Sequence, residues 1–117
     1  MNRLLFVFST PPHGSIKAQE GFDALLMGSA FAECGALFLG EAVLQLVNNQ
    51  QPEAAGFKNY ALGFSALADY GVTKVTCQAA ALQAWRLTPS DLVINAEALG
   101  DADIRQLLAD YDKVLNF

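Results

Sequence analysis

The stretch "VTKVTCQAAALQAW", Val72 to Trp85, changes character in its middle. Val72 to Cys77 reads as a strand, and Gln78 to Trp85 is helix-prone. Cys77 therefore stands where a strand hands over to a helix. Such a handover is the unit from which alternating α/β folds are built. Immediately upstream, Phe57, Tyr60, Ala61, Phe64 and Leu67 recur at i, i+3, i+4, i+7 and i+10, predicting an amphipathic helix that ends near Gly71. Further upstream, "NNQQPEAAG" (48–56) reads as a loop and "EAVLQLV" (41–47) as a short apolar helical turn. "GALFLG" (Gly35–Gly40) is a second strand closed by glycines, and "RLLFVF" (Arg3–Phe8) a first one, apolar enough for the interior of a parallel sheet.

Between those two strands, Lys17 to Glu33 predicts a helix. Its Phe22, Ala24, Leu25, Leu26, Met27, Ala30 and Phe31 cover more than one face. A helix apolar nearly all round is buried on both sides, here by its own sheet and by a neighbouring subunit. Downstream of Trp85, "TPSD" (88–91) is a turn and "LVINA" (Leu92–Ala96) a short fourth strand. Ile104, Leu107, Leu108 and Tyr111 mark a last helix, and "KVLNF" (113–117) a terminal strand. Strands and helices alternate throughout. The expectation is one α/β domain over residues 1–117, a three-layer sandwich with a five-stranded, mainly parallel sheet and right-handed crossovers.

Composition narrows the function. The chain has 117 residues, of which 53% are hydrophobic and 16% charged, apolar for a small domain with so much surface to cover. The surplus predicts subunit interfaces. Seven basic against twelve acidic side chains, a net charge of -5, leave no basic footprint for a phosphate backbone, so direct nucleic-acid binding is not expected. No apolar run approaches the length of a membrane span. "MNRLLFVFSTPPHG" carries no small-residue cleavage site and reads as a first strand, so a cytoplasmic, oligomer-forming protein is expected. Two cysteines without a secretion signal are expected to remain free thiols.

The chemistry centres on Cys77. In parallel α/β folds reactive groups gather at the carboxyl ends of strands, and a helix beginning at Gln78 or Ala79 would offer unpaired amides to a thiolate. A thiolate there can attack a persulfide sulfur and carry it onward. Against this, cysteine is among the most buried residue types and is usually inert. Lys74 is expected not to reach the thiol. Cys34 ends a helix, where the dipole disfavours a thiolate, and reads as structural filling. "STPPHGS" (9–15) has neither the phosphate-loop nor the dinucleotide glycine pattern. Its His13 is the only histidine, and a lone loop histidine reads as solvated. One histidine and two distant cysteines supply no metal-ligand spacing, and no cofactor is called for. Asp110 and Asp112 read as a solvated turn before the final strand.

"FVFSTPPHGSIKAQEGFDALLMGSAF" (6–31) and "LLADYDKVLNF" (107–117) resemble the DsrE/DsrF/DsrH family of sulfur-relay proteins, on its DsrF-like side. "PPHG", "EGFDALL" and "YDKVLNF" are specific in combination, and the resemblance runs from end to end. It implies a parallel α/β sandwich and a cytoplasmic dimer of heterotrimers formed with TusB-like and TusD-like subunits. The complex would take persulfide sulfur from a TusA-like carrier and pass it to a TusE-like protein for 2-thiolation of the tRNA wobble uridine. The family's principal sulfur-accepting cysteine belongs to the TusD-like subunit, which makes this chain a mainly structural, non-catalytic subunit. Cys77 to Leu82 nevertheless looks like the cysteine- and alanine-rich segment of that subunit. Cys77 as a persulfide carrier therefore stays open as an alternative, as do a DsrF-like role in sulfur oxidation and a stand-alone domain holding a small anion at "STPPHGS".

Overall fold

The computed structural model describes residues 3–10, 16–47, 67–92 and 94–117. His13, the "PPHG" segment and the helix expected from Phe57 lie outside the described residues. Only its last member, Leu67, is described, and it opens a 3-10 turn, Leu67–Tyr70.

Five strands form one sheet: β1 (Arg3–Phe8), β2 (Glu33–Phe38), β3 (Lys74–Gln78), β4 (Glu97–Leu99) and β5 (Lys113–Asn116). Their order is β4-β3-β2-β1-β5, and every pairing is parallel. Among the described residues the α-helices are α1 (Lys17–Ser29), α2 (Ala79–Ala84) and α3 (Asp101–Asp110), with a 3-10 segment at Gly40–Leu46. Strand alternation divides the core in two. Phe6, Phe8, Ala36, Phe38, Val75 and Cys77 pack with side chains of α1, the 3-10 segment and α2. Leu5, Val7 and Leu37 pack with Leu99 of β4 and with Ile104 and Leu107 of α3. One sheet thus lies between two helical layers, the expected sandwich. The chain steps from β1 to β4 with its helices on one face, then returns past β1 to β5 through α3 on the other. A constant crossover hand requires that change of face when the direction reverses.

Several boundaries differ from the sequence expectation, and β3 runs Lys74–Gln78 rather than Val72–Cys77. The fourth strand is not Leu92–Ala96 but Glu97–Leu99. Leu92 and Ala96 are buried in the α1-side core, and Leu92 forms an isolated antiparallel bridge with Val47 outside the sheet. Leu92, Ile94 and Ala96 serve packing, whereas the ladder falls on the three residues after Ala96, in register with Thr76, Cys77 and Gln78. Helix α1 ends at Ser29 rather than Glu33. The Ser29 hydroxyl donates to the Leu26 carbonyl at 2.7 Å, and the amides of Phe31 and Ala32 both turn back to Gly28. Strand β2 consequently starts at Glu33, opposite Arg3, and stops before Gly40, whose φ of +54° begins the 3-10 segment.

The turn at Asp110 and Asp112 does more than face solvent. The Arg3 backbone amide donates to the Asp112 carboxylate at 2.8 Å, and the Arg3 guanidinium donates to the Asp110 carbonyl at 2.7 Å. The same guanidinium pairs with Glu33 at 2.9 Å and lies 4.6 Å from the centre of the Tyr111 ring. The Arg3–Glu33 pair is half exposed, so it contributes at most about 1 kcal/mol. Its value is positional, because it ties β2, β1 and the entry to β5 together.

Tyr111 completes this clasp by lying against Gly35. A Cβ at Gly35 would fall on the Tyr111 hydroxyl, and it would sit 2.9 Å from the ring carbon that bears it. Replacing Gly35 with alanine forces the ring or β2 to shift, an overpacking cost of about 1–3 kcal/mol. Urea unfolding of Gly35→Ala is expected to show a lower midpoint with an unchanged slope. An unchanged midpoint would mean that the clasp yields freely.

Candidate functional site

Cys77 is the fourth residue of β3, level with Phe38 of β2 and Ala98 of β4. Its neighbours in the strand, Val75 and Thr76, are buried as well. The Thr76 hydroxyl donates to the Ala36 carbonyl at 2.8 Å, which fixes β3 against β2. Helix α2 follows at Ala79 with no intervening loop, and its Ala81 and Leu82 join the same core cluster as Cys77. The Cys77 side chain has 0% exposure.

Two effects compete at this sulfur. Helix amides favour a thiolate, and burial disfavours one. Helix α2 has only six residues, and Gln78, not Cys77, occupies its N-cap position. The Gln78 side chain offers the helix amides no cap, because its Oε1 accepts the Gly40 amide at 3.0 Å. Burial wins: it raises the Cys77 thiol above its ordinary value of 9.0. Lys74 does not alter this balance. Three residues along a strand put it on the opposite face, where its ammonium pairs with Glu97 at 3.0 Å.

Cys34 lies in the same core with 5% exposure, and burial raises its thiol too. The two cysteines are free. Cys34 is four residues along β2 from Phe38, the register partner of Cys77, which separates the two thiols by roughly 13 Å of strand rise. A disulfide needs Cα atoms within about 7 Å. The expectation of two unpaired thiols holds.

A second feature occupies the carboxyl edge of the sheet, between the ends of β1 and β5. A cleft of about 290 Å³ is lined by Ser9, Thr10, Lys17, Glu20, Asn116 and Phe117. Gln45, fully buried in the 3-10 segment, donates to the Thr10 carbonyl at 2.9 Å and fixes the end of β1. Sequence reading did not single out Gln45 or Gln78. Gln45 is marked only as a polar residue inside "EAVLQLV". The cleft pairs a lysine with a glutamate, a balanced lining rather than an anion cradle. Among the described residues no group of three or more His, Cys, Asp or Glu side chains is placed to hold a metal ion, and no helix is long and apolar enough to cross a membrane.

The fold and these positions can be set beside known proteins. The DsrE/DsrF-like family model matches residues 2–117. The chain belongs to that family. It is 35% identical over 119 residues to "Protein TusC" of two strains of Buchnera aphidicola subsp. Acyrthosiphon pisum, Tuc7 and APS, with the whole of both chains covered in each case. The crystal structure of the ychN protein from E. coli superposes with a TM-score of 0.86 over the whole of both chains at 17% identity, a likeness of fold. Family membership accounts for the end-to-end resemblance carried by "EGFDALL" and "YDKVLNF". Within this family fold, Cys77 sits at the end of a sheet strand with its sulfur turned into the core.

Two outcomes follow from the burial of the thiols. A small disulfide reagent added to the isolated native chain is expected to modify Cys34 and Cys77 only after denaturation. Fast modification of Cys77 in the native chain would show that its strand end opens. The second outcome concerns pH. Cys34, Cys77 and Tyr111 all have raised values in the fold, chiefly through burial, so the unfolded chain releases these protons at lower pH. Their contribution to stability is complete below the ordinary thiol value of 9.0 and is lost as pH rises through the raised values. The urea midpoint is expected to fall above that pH, and more gently in Cys77→Ala. A midpoint that rises there, or an identical slope in Cys77→Ala, would contradict the assignment.

Proposed function

We propose that this chain is a mainly structural subunit of a cytoplasmic sulfur-relay complex that transfers persulfide sulfur for 2-thiolation of the tRNA wobble uridine. Membership of the DsrE/DsrF-like family and full-length similarity to proteins named TusC support the relay role. The observation that carries the structural role is the sulfur of Cys77, fully enclosed and raised in pKa by burial. A persulfide carrier must present a thiolate to two partners in turn. A buried thiol in an apolar core meets neither requirement, because attack needs both ionisation and access.

In this reading the partners are TusB-like and TusD-like subunits in a dimer of heterotrimers, with a TusA-like donor upstream and a TusE-like acceptor downstream. The acidic balance of the chain, -5 overall, suits a member that meets proteins rather than the tRNA itself. The apolar surplus supports assembly. Met27 in the last turn of α1 is 70% exposed, and Phe31, two residues past the end of the helix, is 86% exposed. Leaving a large apolar side chain in water forgoes about 1.5–3 kcal/mol of burial, a cost that a subunit contact removes. The helix expected to be apolar on several faces is thus buried on its sheet side at Ala18, Gly21 and Leu25, with Met27 left exposed.

Cys77 as a carrier is the competing reading, favoured by its place at the carboxyl end of β3. It requires the core around the end of β3 to open so that the sulfur is uncovered. The two readings share the assembly and differ in the thiol. The assembly is tested by co-expressing the chain with TusB-like and TusD-like subunits. The three are expected to co-purify in equal amounts at the mass of a dimer of heterotrimers, and Cys77→Ala is expected to leave that mass unchanged. Elution of this chain as a stable monomer beside a complex of the other two would overturn the proposal.

A further inference from the structure

We draw no further inference here: the strongest candidate, the exposed apolar patch formed by Met27 at the end of α1 and Phe31 in the turn that follows it, carries nothing of its own because nothing in the structure shows which chain covers it.

Discussion

A single row of side chains across the sheet sets the terms for everything else. Phe8, Phe38, Cys77 and Ala98 are register partners on β1, β2, β3 and β4. In a parallel ladder, register partners point to the same face, and a slip of one residue would turn the whole strand over. Phe8 and Phe38 stack at 4.7 Å with their planes 8° apart and bury completely beneath the α1 layer. Cys77 follows them into that layer. Register sets the face it takes, and exposing it means opening the cluster it shares with α1, the 3-10 segment and α2. The Thr76 hydroxyl on the Ala36 carbonyl and the Gln78 carboxamide on the Gly40 amide both resist separation of β3 from its neighbours.

The same row decides the chemistry. Strand ends are where parallel α/β proteins place reactive groups, and a helix start is where a thiolate is stabilised. Cys77 has the first of these by position. It lacks the second, because α2 is short and begins two residues later. Desolvation then dominates, and the group that would have to be an anion is held as a neutral thiol. Cys77 thereby sits in the core as a small, enclosed side chain. The clasp of Arg3, Glu33, Gly35 and Tyr111 works at the opposite edge, where it secures β5 and gives the "YDKVLNF" segment a structural task.

The order of elements was legible because the strands are apolar runs separated by helical periodicity or turns. Arg3–Phe8 is an expected strand reproduced residue for residue. Where an apolar run did not mean a strand, at Leu92–Ala96, Leu92, Ile94 and Ala96 pack into the core without joining the sheet, and hydropathy alone cannot tell the two uses apart. Ser29 ended α1 early through a hydroxyl contact with the backbone, which competes with helix continuation but leaves no periodic trace. At the site, the strand-to-helix handover at Cys77 was legible, and the fate of its sulfur was not. Burial there depends on the partners brought by β2 and α2, and Gln45 and Gln78 act through contacts 35 and 38 residues away in sequence. Long-range pairing of that kind has no signature in a local window.

The central claim is that this subunit holds a relay together without carrying its sulfur. Intact mass spectrometry of each subunit tests it directly, after the reconstituted complex has been loaded from a persulfidated donor, with Cys77→Ser run alongside. The account predicts that a partner subunit gains the mass of sulfur, that this chain gains none, and that Cys77→Ser leaves the partner's loading unchanged. A sulfur gained by this chain and lost in Cys77→Ser would contradict it and make Cys77 a station of the relay.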